Sequence, residues 1–320
     1  MSRRKKTKSK TKRVTFKLHS SARKKQRTYR PSVTGALKIF GIICVLAAAG
    51  ASLYFAQKYI KTARPPGRGP LELAEVPEWV SSELKTKIYN AAGGLPMRIP
   101  AEGKNGAAAG KILRLDEEAA QKAAENLASV AWLDDVKVQT THERLLIKAK
   151  WRKPVAIVKS GSRSFYVDAE LVVLDFVPLY NLPIVKIEGL SETRTPPTGE
   201  VWQSDDLAAA VTILTKLDQM DKSVTPDKPL LYDINSIDVS NFAGRKNKQL
   251  PHIILYSKDN TEIIWGAEFG KWQQYLEAMD EEKLAKLYAY YKEYGSLSGG
   301  VKFINLSSQQ DNISQPIDKY

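Results

Sequence analysis

The chain has 320 residues, with 49 Lys and Arg against 35 Asp and Glu and a formal net charge of +14. At 43% hydrophobic and 26% charged residues it is composed like a folded protein, which excludes wholesale disorder. The single cysteine, Cys44, excludes an intramolecular disulfide framework and a cysteine-based zinc site.

The positive charge suggests nucleic acid until its position is considered. Residues 1–38 hold fifteen Lys/Arg and no acidic residue, and Lys58, Lys61, Arg64 and Arg68 also precede the first acid, Glu72. From residue 72 onward 30 basic residues stand against 35 acidic ones, a balance of −5. The charge therefore belongs to a tail and no specific nucleic-acid contact is expected. Residues 1–38 are too polar and too like-charged to bury a core, so a disordered tail is expected there. Its Arg23, Lys24, Lys25, Arg27 and Arg30 suit an anionic membrane surface, at about 1 kcal/mol per basic residue.

From Ile39 to Gln57 the chain runs uncharged for nineteen residues. As a helix this is roughly 28 Å, close to the thickness of a bilayer core. Phe40, Tyr54, Phe55 and Tyr59 fall near its ends, where amphipathic rings favour the headgroup layer. A cleaved signal peptide with a site at Ala49-Gly50-Ala51 is the competing reading. The long charged leader and the apolar run beyond that site favour an uncleaved single transmembrane helix over 39–57. The excess of Lys/Arg before the helix predicts a cytoplasmic N-terminus and an extracytoplasmic remainder.

A linker is expected over 58–70, rich in Pro and Gly at its end. Leu71–Val76 then alternates as a strand, and Pro77 opens a helix-spaced segment that Gly93-Gly94 ends. Leu95 to Arg114 reads as a long loop. Asp116-Glu117-Glu118 opens a second helix through Val130, with carboxylates at the positive end of its dipole. Strands are predicted at Val136–Thr140 and Leu145–Trp151, then at Val155–Val158, Ser164–Val167, Leu171–Leu174 and Ile184–Ile187. Ser204 caps a helix predicted over Asp205–Leu217. Further strands are predicted at Ile234–Val239, Pro251–Ser257 and Glu262–Trp265, then a long helix over Lys271–Tyr294 stopped by Gly295. A last strand, Val301–Leu306, precedes a polar tail, 307–320, expected to be disordered.

The fold class expected is α+β. The order strand, helix, helix, strand, strand over 71–152 resembles a POTRA module, a β-α-α-β-β domain of exported, membrane-anchored proteins. A second mixed domain with a mainly antiparallel sheet is expected over 153–306. Trp132-Leu133-Asp134-Asp135-Val136-Lys137-Val138 resembles the "pWV..A.V" entry to a strand in the FtsQ/DivIB bacterial cell-division family. Trp151-Arg152-Lys153-Pro154-Val155-Ala156 resembles its "ER.PvA" passage between domains, with Trp151 in place of the family's Glu. Leu182-Pro183 with Gly189 is similar to "LP.l.G". Asn260 to Gly266 is similar to "nG.ei.lG" with Thr261 for the glycine, and Val301 to Leu306 to "i.yiDlRy" with Asn305 for the Asp. The resemblance implies a bitopic, non-enzymatic scaffold at the division site of the cytoplasmic (inner) membrane. Its implied partners are other single-pass division proteins, FtsB/DivIC-like and FtsL-like, bound near the C-terminus.

Equipment for catalysis is sparse. The histidines are His19, His142 and His252, without HExxH spacing, and no G-x-S-x-G occurs. Gly103 to Lys111 imitates a phosphate loop but has Asn105 where glycine is needed and Ile112 where a hydroxyl would hold magnesium. The pairs Asp116/Glu117, Asp205/Asp206 and Glu281/Glu282 read as dipole-favouring residues at helix starts. The aromatics Tyr288, Tyr290, Tyr291, Tyr294, Trp265 and Trp272 read as helix-packing material, and Arg245-Lys246-Asn247-Lys248 as a solvated turn. No catalytic residue, metal, cofactor or small-molecule substrate is expected. The expected partner site is Val301, Lys302, Phe303, Ile304, Asn305 and Leu306, with Tyr291 and Tyr294 beside it: if this strand lies at a sheet edge an extended partner segment adds to it as a strand, the alternative being a last strand that only completes the sheet. The competing functions are a POTRA-type transport or assembly factor and a membrane-anchored enzyme.

Overall fold

The computed structural model describes residues 33–63, 67–98, 109–192, 194–297, 301–310 and 314–316. The chain divides into two units, Met1–Pro65 and Pro66–Tyr320. The first contains helix α1 (Val33–Ala63), within which Phe40–Tyr59 is long and apolar enough to cross a membrane. The helix is longer than the apolar run. It takes in Val33–Lys38 of the expected tail and Lys58–Ala63 of the expected linker, because no proline interrupts the chain between Pro31 and Pro65. The basic residues 23–30 lie outside the described residues.

The second unit begins with β1 (Arg68–Leu73), α2 (Ser82–Ala92), β2 (Leu95–Arg98), β3 (Ala109–Arg114), α3 (Glu117–Ala128), β4 (Leu133–Thr140) and β5 (Leu145–Trp151). These strands form a five-stranded sheet in the order β2-β3-β1-β5-β4. β1 is parallel to β5 and antiparallel to β3. Helix α2 starts later than the spacing predicts because Ser81 supplies the cap, its hydroxyl accepting the Leu84 N–H at 3.2 Å. Residues 77–80 make a turn instead, closed by the Val80 N–H on the Pro77 carbonyl. At α3 the cap is Asp116, which accepts the Ala119 N–H at 2.8 Å.

The loop expected over Leu95–Arg114 is in part a strand pair. β2 and β3 pair antiparallel from Leu95↔Ile112 to Arg98↔Ala109, and β3 joins the sheet at β1. Three glycines and two prolines hide this pair from a local reading, and pairing with β1 overrides them. Gly94, at φ +94°, is required where the hairpin begins, since a Cβ there would lie 2.8 Å from the Ile112 carbonyl oxygen. The phosphate-loop imitation falls at 103–108, outside the described residues, and in β3.

The rest of the unit runs β6 (Pro154–Ser160), β7 (Arg163–Asp168), β8 (Val173–Asp175), β9 (Val185–Glu188), α4 (Asp205–Val224), β10 (Ile234–Asp238), β11 (Ile253–Ser257), β12 (Glu262–Gly266), α5 (Asp280–Tyr294), β13 (Val301–Asn305) and β14 (Ser314–Pro316). The strands make one nine-stranded sheet, β14-β13-β12-β11-β10-β9-β6-β7-β8. It is mixed, with β6–β9, β9–β10 and β12–β13 parallel and the other neighbours antiparallel. Leu207, Ile213, Leu214 and Leu217 of α4 and Leu287 of α5 share a core with Ile237, Leu255, Ile263 and Ile304 of the sheet. Those strands alternate buried and half-buried residues, as a sheet covered on one face must.

The two sheets meet on aromatic side chains. Trp132 is fully buried between Trp79, at 6.4 Å between ring centroids, and Tyr166 of β7, at 5.9 Å. Its indole N–H donates to Asp175 of β8 at 3.2 Å, and Lys87 of α2 pairs with the same carboxylate. Arg152, in the connection between β5 and β6, bridges Asp134 at 3.5 Å and the buried Asp168 at 3.1 Å. Trp132→Ala is expected to cost about 3–5 kcal/mol, the usual range for emptying a buried tryptophan site. Thermal unfolding followed by circular dichroism checks this, and an unchanged midpoint contradicts the packing.

Candidate functional site

The sequence places its candidate site on β13 and the end of α5, and the structure brings these together with different exposures. α5 is shorter than the Lys271–Tyr294 helix expected. Trp272–Tyr275 forms a single 3-10 turn, Leu276 adopts φ +54° with its side chain 84% exposed, and the α-helix starts only at Asp280. The interruption is held by Glu277. Its carboxylate accepts the Ala267 N–H at 2.9 Å and pairs with Lys283 at 2.6 Å, tying the loop before α5 to the end of β12.

Lys283 is wholly buried, with its ammonium 5.4 Å from the centroid of the Trp265 ring. Gly266, at φ +92°, makes room for this pair, since a Cβ there would lie 2.3 Å from a Glu277 carboxylate oxygen. The Ala278 N–H then reaches across to the Ser307 carbonyl at 2.9 Å, which anchors the chain just after β13.

At its C-terminal end α5 is stopped by Gly295 at φ +70°, as its sequence predicts. Tyr288 and Tyr291 face inward. The Tyr288 hydroxyl donates to Asp221 at 2.8 Å or to the Leu217 carbonyl at 2.9 Å, and burial together with the Asp221 carboxylate raises its pKa. Burial and the nearby Asp233 and Asp221 push the Tyr291 phenol up to about 12. Tyr291 is thus a core residue and not part of a contact surface. Tyr294 is 60% exposed and stacks on Tyr290 at 4.5 Å, so it does face solvent. Of the other aromatics, Trp265 is core and Trp272 is half-buried.

β13 pairs parallel with β12, from Glu262↔Phe303 to Ile264↔Asn305. Ile304 and Leu306 are fully buried and serve the core. Lys302 is exposed, while Val301, Phe303 and Asn305 are half-buried. The other edge of β13, whose openness the sequence left undecided, is covered by β14, which pairs with it antiparallel. The polar tail after residue 306 is ordered at least over 307–310 and 314–316. No local signal announces β14, since Ser-Gln-Pro is a poor strand sequence.

Elsewhere the structure revises two readings. Asp206 is not a surface helix-start residue, and Arg245 is not solvated. Asp206 is 1% exposed and accepts from Arg245 at 2.7 Å, from the Ser191 N–H at 2.7 Å and hydroxyl at 2.8 Å, and from Ser204. Ser204 therefore spends its hydroxyl on this carboxylate rather than on capping α4. Arg245 also donates to the carbonyls of Gly189, Val239 and Ser240. Burial pushes the Asp206 carboxyl up, but these hydrogen bonds from Ser204, Arg245 and Ser191 outweigh it and bring the pKa down to about 2.

His142 is exposed, and His252 is buried with Nδ1 3.6 Å from Glu268. A cavity of about 510 Å³ lies at the turn between β6 and β7 and the end of β9, lined by Lys159, Lys186, Glu188, Glu192 and Trp202 among others. Among the described residues no group of three or more His, Cys, Asp or Glu is placed to hold a metal ion.

Two outcomes follow from these contacts. Glu277→Ala leaves the Lys283 charge buried without its partner and is expected to cost about 3–5 kcal/mol in denaturant unfolding. Because the folded pKa of Asp206 lies below the ordinary carboxylate value, its stabilisation is complete above about pH 4 and is lost as pH falls through about 2. Arg245→Ala is expected to shift that loss to higher pH, read from acid unfolding curves of the two proteins. No protein-family model matches this chain, and no curated protein matches it.

Proposed function

We propose that the protein is a bitopic scaffold of the bacterial cell-division machinery. In this reading α1 anchors it in the cytoplasmic membrane with its basic N-terminal segment inside, and the α+β unit lies outside the membrane at the division site. There it binds other single-pass division proteins, FtsB/DivIC-like and FtsL-like, by strand addition at β13. The observation that carries the reading is one membrane-length apolar helix, with fifteen basic residues on its N-terminal side, followed in the chain by an α+β unit whose residues from 72 onward carry a balance of −5. The resemblances at 132–138, 151–156, 182–189, 260–266 and 301–306 supply the division context, and β13, covered on its outer side by no more than the three residues of β14, is the strand to which a partner segment would add.

Depletion of the protein is expected to yield cells that elongate or fail to separate, and normal division overturns the assignment. Phe303→Pro, which removes a backbone N–H from β13, is expected to abolish co-purification of the division partners while the circular dichroism spectrum is retained. Retained co-purification with an intact fold rules out strand addition here.

A further inference from the structure

The edge of β13 is already filled by the chain itself. β14 lies antiparallel to it, with Val301↔Pro316, Phe303↔Gln315 and Ile304↔Ser314 opposite one another. We propose that β14 is a displaceable cap, holding the place on β13 that an extended segment of another polypeptide takes on binding. This rests on the strand-addition reading above and adds its regulation.

Three features point to a cap rather than to a permanent strand. The pairing is short, three residues against the five of β13, and it shifts register between Val301 and Phe303. It ends on Pro316, which has no N–H to contribute to a ladder. Residues 307–310, which follow β13, are held in place independently of the pairing. Lys286 of α5 donates to the carbonyls of Ser308 and Gln310, both at 3.0 Å, Gln309 donates to the Leu276 carbonyl at 3.3 Å, and Asn305 accepts from the Ser307 N–H at 3.1 Å.

A segment tethered so closely acts at an effective concentration in the millimolar range, enough to cover a strand edge with weak pairing. A partner that pairs with all of β13 without a proline has more to gain and replaces it. The exposed Lys302 selects an acidic side chain opposite it in that partner. The cap also protects the protein, since a free edge beside the half-buried Phe303 and Val301 invites pairing between copies.

The test is hydrogen exchange of Val301–Leu306 in the full chain in detergent micelles, compared with the chain truncated after Gln310 and with Lys286→Ala. Truncation is expected to speed exchange of the β13 amides about tenfold, with the rest of the nine-stranded sheet unchanged. Lys286→Ala is expected to give a smaller increase. A synthetic peptide of residues 311–320, added at millimolar concentration, is expected to restore protection to the truncated chain and to leave the full chain unaffected. Unchanged exchange on truncation overturns the cap. Loss of protection that the peptide does not restore overturns displaceability.

Either negative result leaves the strand-addition reading to be judged by Phe303→Pro. A working cap in cells that divide normally after depletion sinks the division assignment and not the cap.

Discussion

The packing of Trp132 is the constraint on which the unit Pro66–Tyr320 depends. The five-stranded sheet and its two helices make a small module whose apolar residues alone form a limited core. Trp132 extends that core across the seam. Tyr166, Val172, Leu174 and Val177 of the nine-stranded part bury themselves in the same cluster as Leu84, Ile88, Leu127 and Ile147. The indole donates to Asp175 while Lys87 pairs with the same carboxylate, so this charged group at the seam is paired as well as packed, as Asp168 is by Arg152. Packing across this seam accords with the single compact unit that Pro66–Tyr320 forms.

A second polar node fixes the larger sheet against its helices. Asp221, near the end of α4, accepts from Thr225 at 2.8 Å, from the N–H groups of Leu230 and Leu231 at 2.8 and 3.0 Å, and from Tyr288 of α5. One buried carboxylate thereby satisfies donors from α4, the turn leading to β10, and α5. Glu277 and Lys283 do similar work at the other end of α5. Between these two anchors α5 is held over Ile263 and Ile304, and β13 lies between β12 and β14. The placement of β13 is a consequence of how α5 is fastened at both ends.

Much of this was legible in the sequence, for reasons that differ element by element. β5 was read with its observed ends because Ile147, Ala149 and Trp151 alternate with Lys148 and Lys150 on one half-buried strand. α3 and the stop of α5 were legible because Asp116 and Gly295 act on neighbouring backbone. β2, β3 and β14 were not, since their pairing partners lie elsewhere in the chain and their own residues favour turns. At the candidate site the exposed Lys302 and Tyr294 agree with a surface, whereas Tyr291, Ile304 and Leu306 are committed to the core. Arg245 was misread because its partner, Asp206, is 39 residues away.

What the sequence determined by itself is whatever depends on composition and near neighbours. That covers the apolar run that makes Phe40–Tyr59 long enough to cross a membrane, the separation of a basic segment from a mildly acidic remainder, and the caps and alternations that set most helices and strands. What only the tertiary structure decided is which strands meet and which charges are buried. β14 covers β13, Asp206 meets Arg245, and Glu277 breaks the helix expected from Lys271. Each of these depends on the free energy of pairing groups far apart in the chain, which no local spacing encodes.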